Sequence, residues 1–335
     1  MKKIKSILLF GIGFGIVCLT FGLILKFGGI MSPILMIDQE NGERYMPDKM
    51  CCSIFNYEGF GLARTNEDGW FGPAFHDNGE NDVSLAVLGN SFIAARQVFY
   101  RHNFLSLSEA ILQGERRNVH LFNFGKETMP LREALYIKEE LEQKYHPDYF
   151  VVFINERSLG NEGRYIPFYE LTGDSLTLNT DFQHKPFVKN YSKLEFLTSS
   201  SLVFLTYRAK NRIPEFKEIV LDKFYPSENE AEADAKIDRE VDEVDAAVIR
   251  KFASDKRVIF LLDINEKRKE QIRSLVNGAP IIDVKTALKE LENQGVDPYF
   301  WQVSNERGHW NHAAHRVIAN TFVAQLKAIL DKEKS

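Results

Sequence analysis

The sequence predicts an α/β fold built on a parallel sheet. Short apolar runs at residues 83–88, 119–124, 149–154 and 257–263 each end in a Gly, Asn or Asp turn signal. Stretches with helical spacing of apolar residues lie between most of them, and the connections are short. Strands alternating with helices in this way mean βαβ units, and βαβ units mean parallel strands. The chain has 335 residues, of which 44% are hydrophobic and 27% charged. That is room for one large or two modest domains with a real core.

The N-terminus stands apart. Lys2, Lys3 and Lys5 precede an almost uncharged run over residues 7–25. About twenty apolar residues span a bilayer, and lysines ahead of the run keep the amino end in the cytoplasm and export the remainder. No small-x-small cleavage site follows Lys26, so an uncleaved signal anchor is preferred to a cleaved signal peptide. Gly11, Gly13 and Gly15 lie inside the run. A nucleotide loop would need a preceding strand, so these glycines fit membrane-helix packing or plain spacing better. The expected organisation is 1–28 as cytoplasmic end and transmembrane anchor, 29–82 as linker and N-terminal flap, and 83–332 as the α/β domain, with an insert at 156–254.

After the anchor, residues 28–49 read as a linker or loosely docked strap, and residues 53–73 as short extended pieces and turns forming a flap on the domain edge. The first strand, 83–88, ends in Gly89-Asn90-Ser91, and a helix is expected over 94–112. The second strand, 119–124, ends in Gly125, with a helix over 131–144. The third, 149–154, ends in Asn155. The rhythm then stops. Residues 164–178 look extended around a Thr172-Gly173-Asp174 turn, and 191–210 are apolar at helical spacing. Residues 226–251 are strongly charged, with Ile237, Val241, Val244 and Val248 spaced as a helix face. The sheet resumes at 257–263, followed by a helix over 266–276, a short strand at 281–284, a helix over 285–294 and a last helix from Asn311 to about residue 330.

The net charge is −5, and no basic stripe interleaved with aromatics is present, so no nucleic-acid partner is expected. Cys18, Cys51 and Cys52 follow no metal or disulfide spacing. The adjacent pair could bridge under strain, stay reduced or pair with another chain. His309, His312 and His315 recur every third residue. That spacing drifts around a helix, and no Cys or Asp cluster accompanies it, so no metal site is expected.

In an open parallel sheet, the carboxyl ends of the strands share one edge, where ligands bind. There the sequence delivers Ser91, Gly125 and Asn155, joined by the loop 305–309 just before the last helix. Ser91 alone reads as a helix N-cap. Together, the set matches the needs of acyl transfer. A serine nucleophile needs a base, which His309 can supply, and Glu306 three residues earlier could fix the imidazole tautomer. The N–H groups of Ser91 and Gly125 and the amide of Asn155 are candidate oxyanion donors.

Those residues resemble the SGNH hydrolase superfamily, the GDSL esterases and lipases. The matching blocks are Val87-Leu-Gly-Asn-Ser-Phe92, Asn123-Phe-Gly125, Val152-Phe-Ile-Asn-Glu156 and Glu306-Arg-Gly-His-Trp-Asn311, in the family's order. The chain departs from the family in carrying Asn90 where Asp is usual, Glu306 where the triad acid is usually Asp, and Glu156 where Asp usually follows the asparagine. The resemblance implies a three-layer α/β/α sandwich with a flavodoxin-like sheet and serine ester chemistry through an acyl-enzyme, with no metal or organic cofactor. A membrane-tethered, extracytoplasmic esterase acting on acyl groups of a glycan or lipid is the expected function. An O-acyltransferase acting on envelope polysaccharide, or an inactive envelope protein, are the alternatives.

Overall fold

A computed structural model describes residues 2–27, 34–55, 58–76, 82–160, 165–191 and 241–333. Five segments precede the first apolar run: helix α1 (Lys2–Phe27) and strands β1 (Leu35–Asp38), β2 (Gly42–Tyr45), β3 (Met50–Phe55) and β4 (Gly59–Arg64). Next come β5 (Val83–Gly89), α2 (Ser91–Ala94), α3 (Phe104–Gly114), β6 (Val119–Gly125), α4 (Leu131–Tyr145) and β7 (Tyr149–Asn155). A hairpin of β8 (Phe168–Thr172) and β9 (Ser175–Asn179) follows. The chain then continues through α5 (Glu243–Ala253), β10 (Val258–Asp263), α6 (Glu266–Leu275), β11 (Ile281–Asp283) and α7 (Lys285–Asn293). It ends with β12 (Phe300–Trp301), β13 (Glu306–Arg307) and α8 (His312–Glu333).

The sheet has five strands in the order β11-β10-β7-β5-β6, all parallel. Strands buried on both faces must be apolar throughout, which explains the unbroken Val, Leu, Ile and Phe of β5, β7 and β10. Alternate side chains serve opposite faces. Ala86 and Leu88 pack with α4, α5 and α6, whereas Leu85 and Val87 pack with α3, α7 and α8. The result is a three-layer α/β/α sandwich. Each fully buried Leu, Ile or Phe in these layers contributes about 1.5–3 kcal/mol relative to exposure. Register aligns the strand ends: Gly89 faces Gly125 across β5–β6, and Asp263 faces Asn155 across β10–β7.

Several segments differ from expectation. The helix expected over 94–112 is interrupted. α2 ends at Ala94, closed by Ala95 in a left-handed conformation (φ 49°), and α3 begins afresh, with Asn103 capping the N–H of Ser106. The strap is not loose, because β1 and β2 form an antiparallel hairpin. Tyr45 is buried, packs its ring at a tilt against Phe71 and, with Arg96, hydrogen-bonds the Glu127 carboxylate. Hairpin β8–β9 turns at Gly173, whose φ of 62° suits glycine. Residues 192–210 of one expected helix, and Ile237 of another, lie outside the described residues, while Val248 is buried on α5. Cys51 and Cys52 are neighbours on β3 and unbridged, and Cys18 is also free. Within α1, Lys5–Ile24 has a mean hydropathy of 2.6, making this helix long and apolar enough to cross a membrane.

Candidate active site

Ser91 opens α2 at the end of β5, and its hydroxyl lies 2.7 Å from His309 Nε2. The residues are 218 apart in sequence, yet the strand-end loop and the loop before α8 meet at one rim. The other imidazole nitrogen, Nδ1, lies 2.9 Å from both carboxylate oxygens of Glu58. A carboxylate only accepts, so Nδ1 carries the proton and Nε2 is left to accept from the serine hydroxyl. His309 is 2% exposed and Glu58 5%, so water does not screen this contact.

Glu58 was not among the expected residues. The expected acid, Glu306, sits exposed on β13, in register with Trp301 across a short hairpin. A carboxylate three residues before the histidine is close in sequence, but this strand pairing turns it outward. Glu58 arrives instead from the turn between β3 and β4, 251 residues from its partner. The segment expected to be only a flap thus supplies a carboxylate to the site.

The close seating of that hairpin explains its glycines. A Cβ on Gly61 would lie 2.0 Å from the Arg96 carbonyl oxygen, and one on Gly59 2.4 Å from that of Gln97. One on Gly308 would lie 2.2 Å from Glu58 Oε1. Glycine at alternate positions in a strand bares one face for close backbone approach, and this was the readable signal that something packs there. Gly61→Ala is therefore expected to lift the hairpin. Reaction of the Ser91 hydroxyl with a fluorophosphonate should slow about 10- to 100-fold while circular dichroism stays native, because a displacement near 1 Å at a reacting group costs on that order.

Aromatic side chains hold the imidazole. Phe92 lies with its ring centroid 4.6 Å from that of His309, and Trp301 Nε1 donates to the His309 carbonyl at 2.8 Å. Asp263, buried at the end of β10, accepts from Trp310 Nε1 at 2.9 Å and from the Tyr299 hydroxyl at 3.0 Å, fixing the loop on either side of His309. Burial drives the Tyr299 phenol well above its ordinary pKa, and the Asp263 charge is the next cause.

The candidate oxyanion donors divide. Gly125 N–H donates to Asn123 Oδ1 at 2.9 Å, so it is already committed, contrary to expectation. Glycine is required at 125 for a different reason, since a Cβ there would lie 2.3 Å from Ala94 N. Asn155 is buried at the end of β7, and its Oδ1 accepts from Asn90 Nδ2 at 2.8 Å and Ser158 N at 3.1 Å. Its Nδ2 has no protein partner among the described residues. Ser91, as the first residue of a helix, carries one of the orphan N–H groups typical of that position.

The other two histidines of the triplet diverge from His309. His315 is fully buried, accepts from Phe104 N–H through Nδ1, and has its pKa pushed down to about 3, chiefly by burial and then by His312 and His309. His312 packs against His102 and Trp301. Among the described residues, no group of three His, Cys, Asp or Glu is placed to hold a metal ion.

No family model and no curated protein matches the sequence. Among solved structures, an α/β hydrolase from the metagenome of Lake Arreo, Spain, is 15% identical, with 76% of this chain and 97% of that one covered and a TM-score of 0.40. The acetylxylan esterase Axe2 from Geobacillus stearothermophilus is 13% identical, with coverage of 76% and 96% and a TM-score of 0.39. A lipolytic G-D-S-L family protein from Veillonella parvula is 12% identical, with coverage of 72% and 97% and a TM-score of 0.35. The chain is similar in fold to these esterases and lipolytic proteins.

Proposed function

We propose that the protein is a serine esterase of the SGNH type that cleaves ester-linked acyl groups. The observation that carries this reading is the unbroken contact from the Ser91 hydroxyl through His309 to Glu58. Ser91 Oγ attacks the ester carbonyl carbon, and its proton passes to His309 Nε2. Glu58 balances the imidazolium through Nδ1. The tetrahedral oxyanion is met by Asn155 Nδ2 and the Ser91 N–H. Its collapse breaks the ester C–O bond, and the imidazolium proton goes to the leaving alkoxide. Water, deprotonated by His309, then attacks the acyl-enzyme and restores the serine.

Helix α1 supports a single-pass tether, with Lys2, Lys3 and Lys5 on the cytoplasmic side and the α/β domain outside the cytoplasm. An enzyme held there meets acylated envelope glycans or lipids, which we take as its substrate class. The boundaries 1–28, 29–82 and 83–332 describe this organisation, except that the catalytic unit extends back to Glu58. The assembled relay speaks against an inactive envelope protein. A polysaccharide hydroxyl replacing water at the second step would give O-acyl transfer, and acyl appearing on added glycan rather than as free acid separates the two.

The test is labelling of the full chain in detergent with a fluorophosphonate, followed by mass mapping. The native protein should carry one adduct, on Ser91, and heat-denatured protein none. A folded protein with no adduct, or with the adduct on another serine, contradicts the proposal.

A further inference from the structure

Asn90 precedes the nucleophile, and its side chain is 2% exposed. Its Oδ1 accepts the Phe92 N–H at 3.1 Å, capping α2. That backbone donor fixes which way the amide is turned, so Nδ2 must face the opposite side. There it donates to Asn155 Oδ1 at 2.8 Å and to Ser158 Oγ at 3.2 Å. The Asn155 amide is fixed in the same way, because its Oδ1 accepts the Ser158 N–H at 3.1 Å in a capping box. Ser158 Oγ closes the ring by accepting from Asn155 N at 3.3 Å and donating to Asn155 Oδ1 at 3.0 Å.

Three donors of this ring, Asn90 Nδ2, the Ser158 N–H and the Ser158 hydroxyl, converge on one oxygen, Asn155 Oδ1, while the Asn155 N–H goes to Ser158 Oγ. Three donors therefore hold Asn155 by its carbonyl side, leaving only Nδ2 for a ligand. We infer that Asn90 is a positioning residue: its amide nitrogen sets the polarity of Asn155, so that the amino group rather than the carbonyl is presented to the acyl oxygen. This rests on the esterase reading and adds a reason for asparagine at 90. An aspartate there would still cap Phe92 but would bring a second oxygen to about the Nδ2 position, 2.8 Å from Asn155 Oδ1. To relieve that repulsion Asn155 would have to turn over. Its Nδ2 would then face the aspartate, Ser158 N–H would lose its acceptor, and an oxygen would face the developing oxyanion. A buried donor left unpaired and a lost oxyanion donor are both costly.

A change at 90 toward the usual family residue is thus harmful. The experiment measures kcat and KM for p-nitrophenyl acetate in full-length wild type, N90D and N90A, with Tm and fluorophosphonate labelling rate alongside. N90D should lower kcat and labelling rate about 10- to 1,000-fold with KM within about threefold, since losing one oxyanion donor costs up to about that much. N90A removes the donor without adding charge and should lose less than N90D. Folded N90D with kcat equal to or above wild type overturns the inference. If N90D does not fold, N90A decides: a kcat at the wild-type value overturns it. Failure of the esterase reading looks different, because wild type itself would then be inactive and Ser91 unlabelled, which overturns both.

Discussion

Ser91→Ala is expected to lower esterase turnover of the full-length protein by about 10⁴-fold or more, the scale seen when a nucleophile working through an acyl-enzyme is removed. The size follows from the arrangement. Ser91 Oγ is the hydroxyl at 2.7 Å from the base, and no water placed by the remaining groups would match its orientation. The loss should fall on kcat, since the hydroxyl binds little of the substrate. Stability should barely move. Ser91 is only half-buried, and the capping of α2 is done by Asn90. Hydrolysis of p-nitrophenyl acetate with thermal melting as control checks this. An alanine variant that retains activity within tenfold of wild type would place the chemistry elsewhere.

Glu58→Gln is expected to reduce kcat by about 10²–10⁴-fold. Glutamine keeps the shape but can offer its amide N–H to Nδ1, which favours the wrong tautomer and leaves the imidazolium uncompensated. Glu306→Gln should leave kcat within about twofold, because Glu306 is exposed and the His309 Nδ1 contact is with Glu58. Comparing the two variants under the same conditions separates a carboxylate chosen by proximity in sequence from one chosen by the fold. Near-equal losses would contradict the geometry.

The sheet was legible because its strands are buried on both faces, so the apolar runs of β5, β6, β7 and β10 carry the whole signal. Ser91, Asn155 and His309 were legible for a related reason: each sits at a strand or loop end that parallel topology sends to one edge. The break after Ala95 was hidden: there β4 lies against the carbonyls of Arg96 and Val98, a contact with no local pattern. Glu58 was hidden for the same reason. Its partner is 251 residues away, and only the bare glycine face at Gly59 and Gly61 marked the approach. The contacts of Gly125 were hidden because a strand-end glycine looks alike whether it admits a substrate or, as here, lies against a neighbouring helix, with its N–H donating to Asn123 Oδ1.

The central claim is that Ser91, His309 and Glu58 act as one unit. Residues that act as a unit are non-additive, because once the nucleophile is gone its supporting charge has nothing left to assist. The most direct measurement is the residual esterase rate of S91A, E58Q and the S91A/E58Q double variant, each above the uncatalysed background. The relay requires the double variant to match S91A within about threefold. A double variant slower than S91A by the full factor lost in E58Q alone, or an E58Q single variant at wild-type rate, would contradict it.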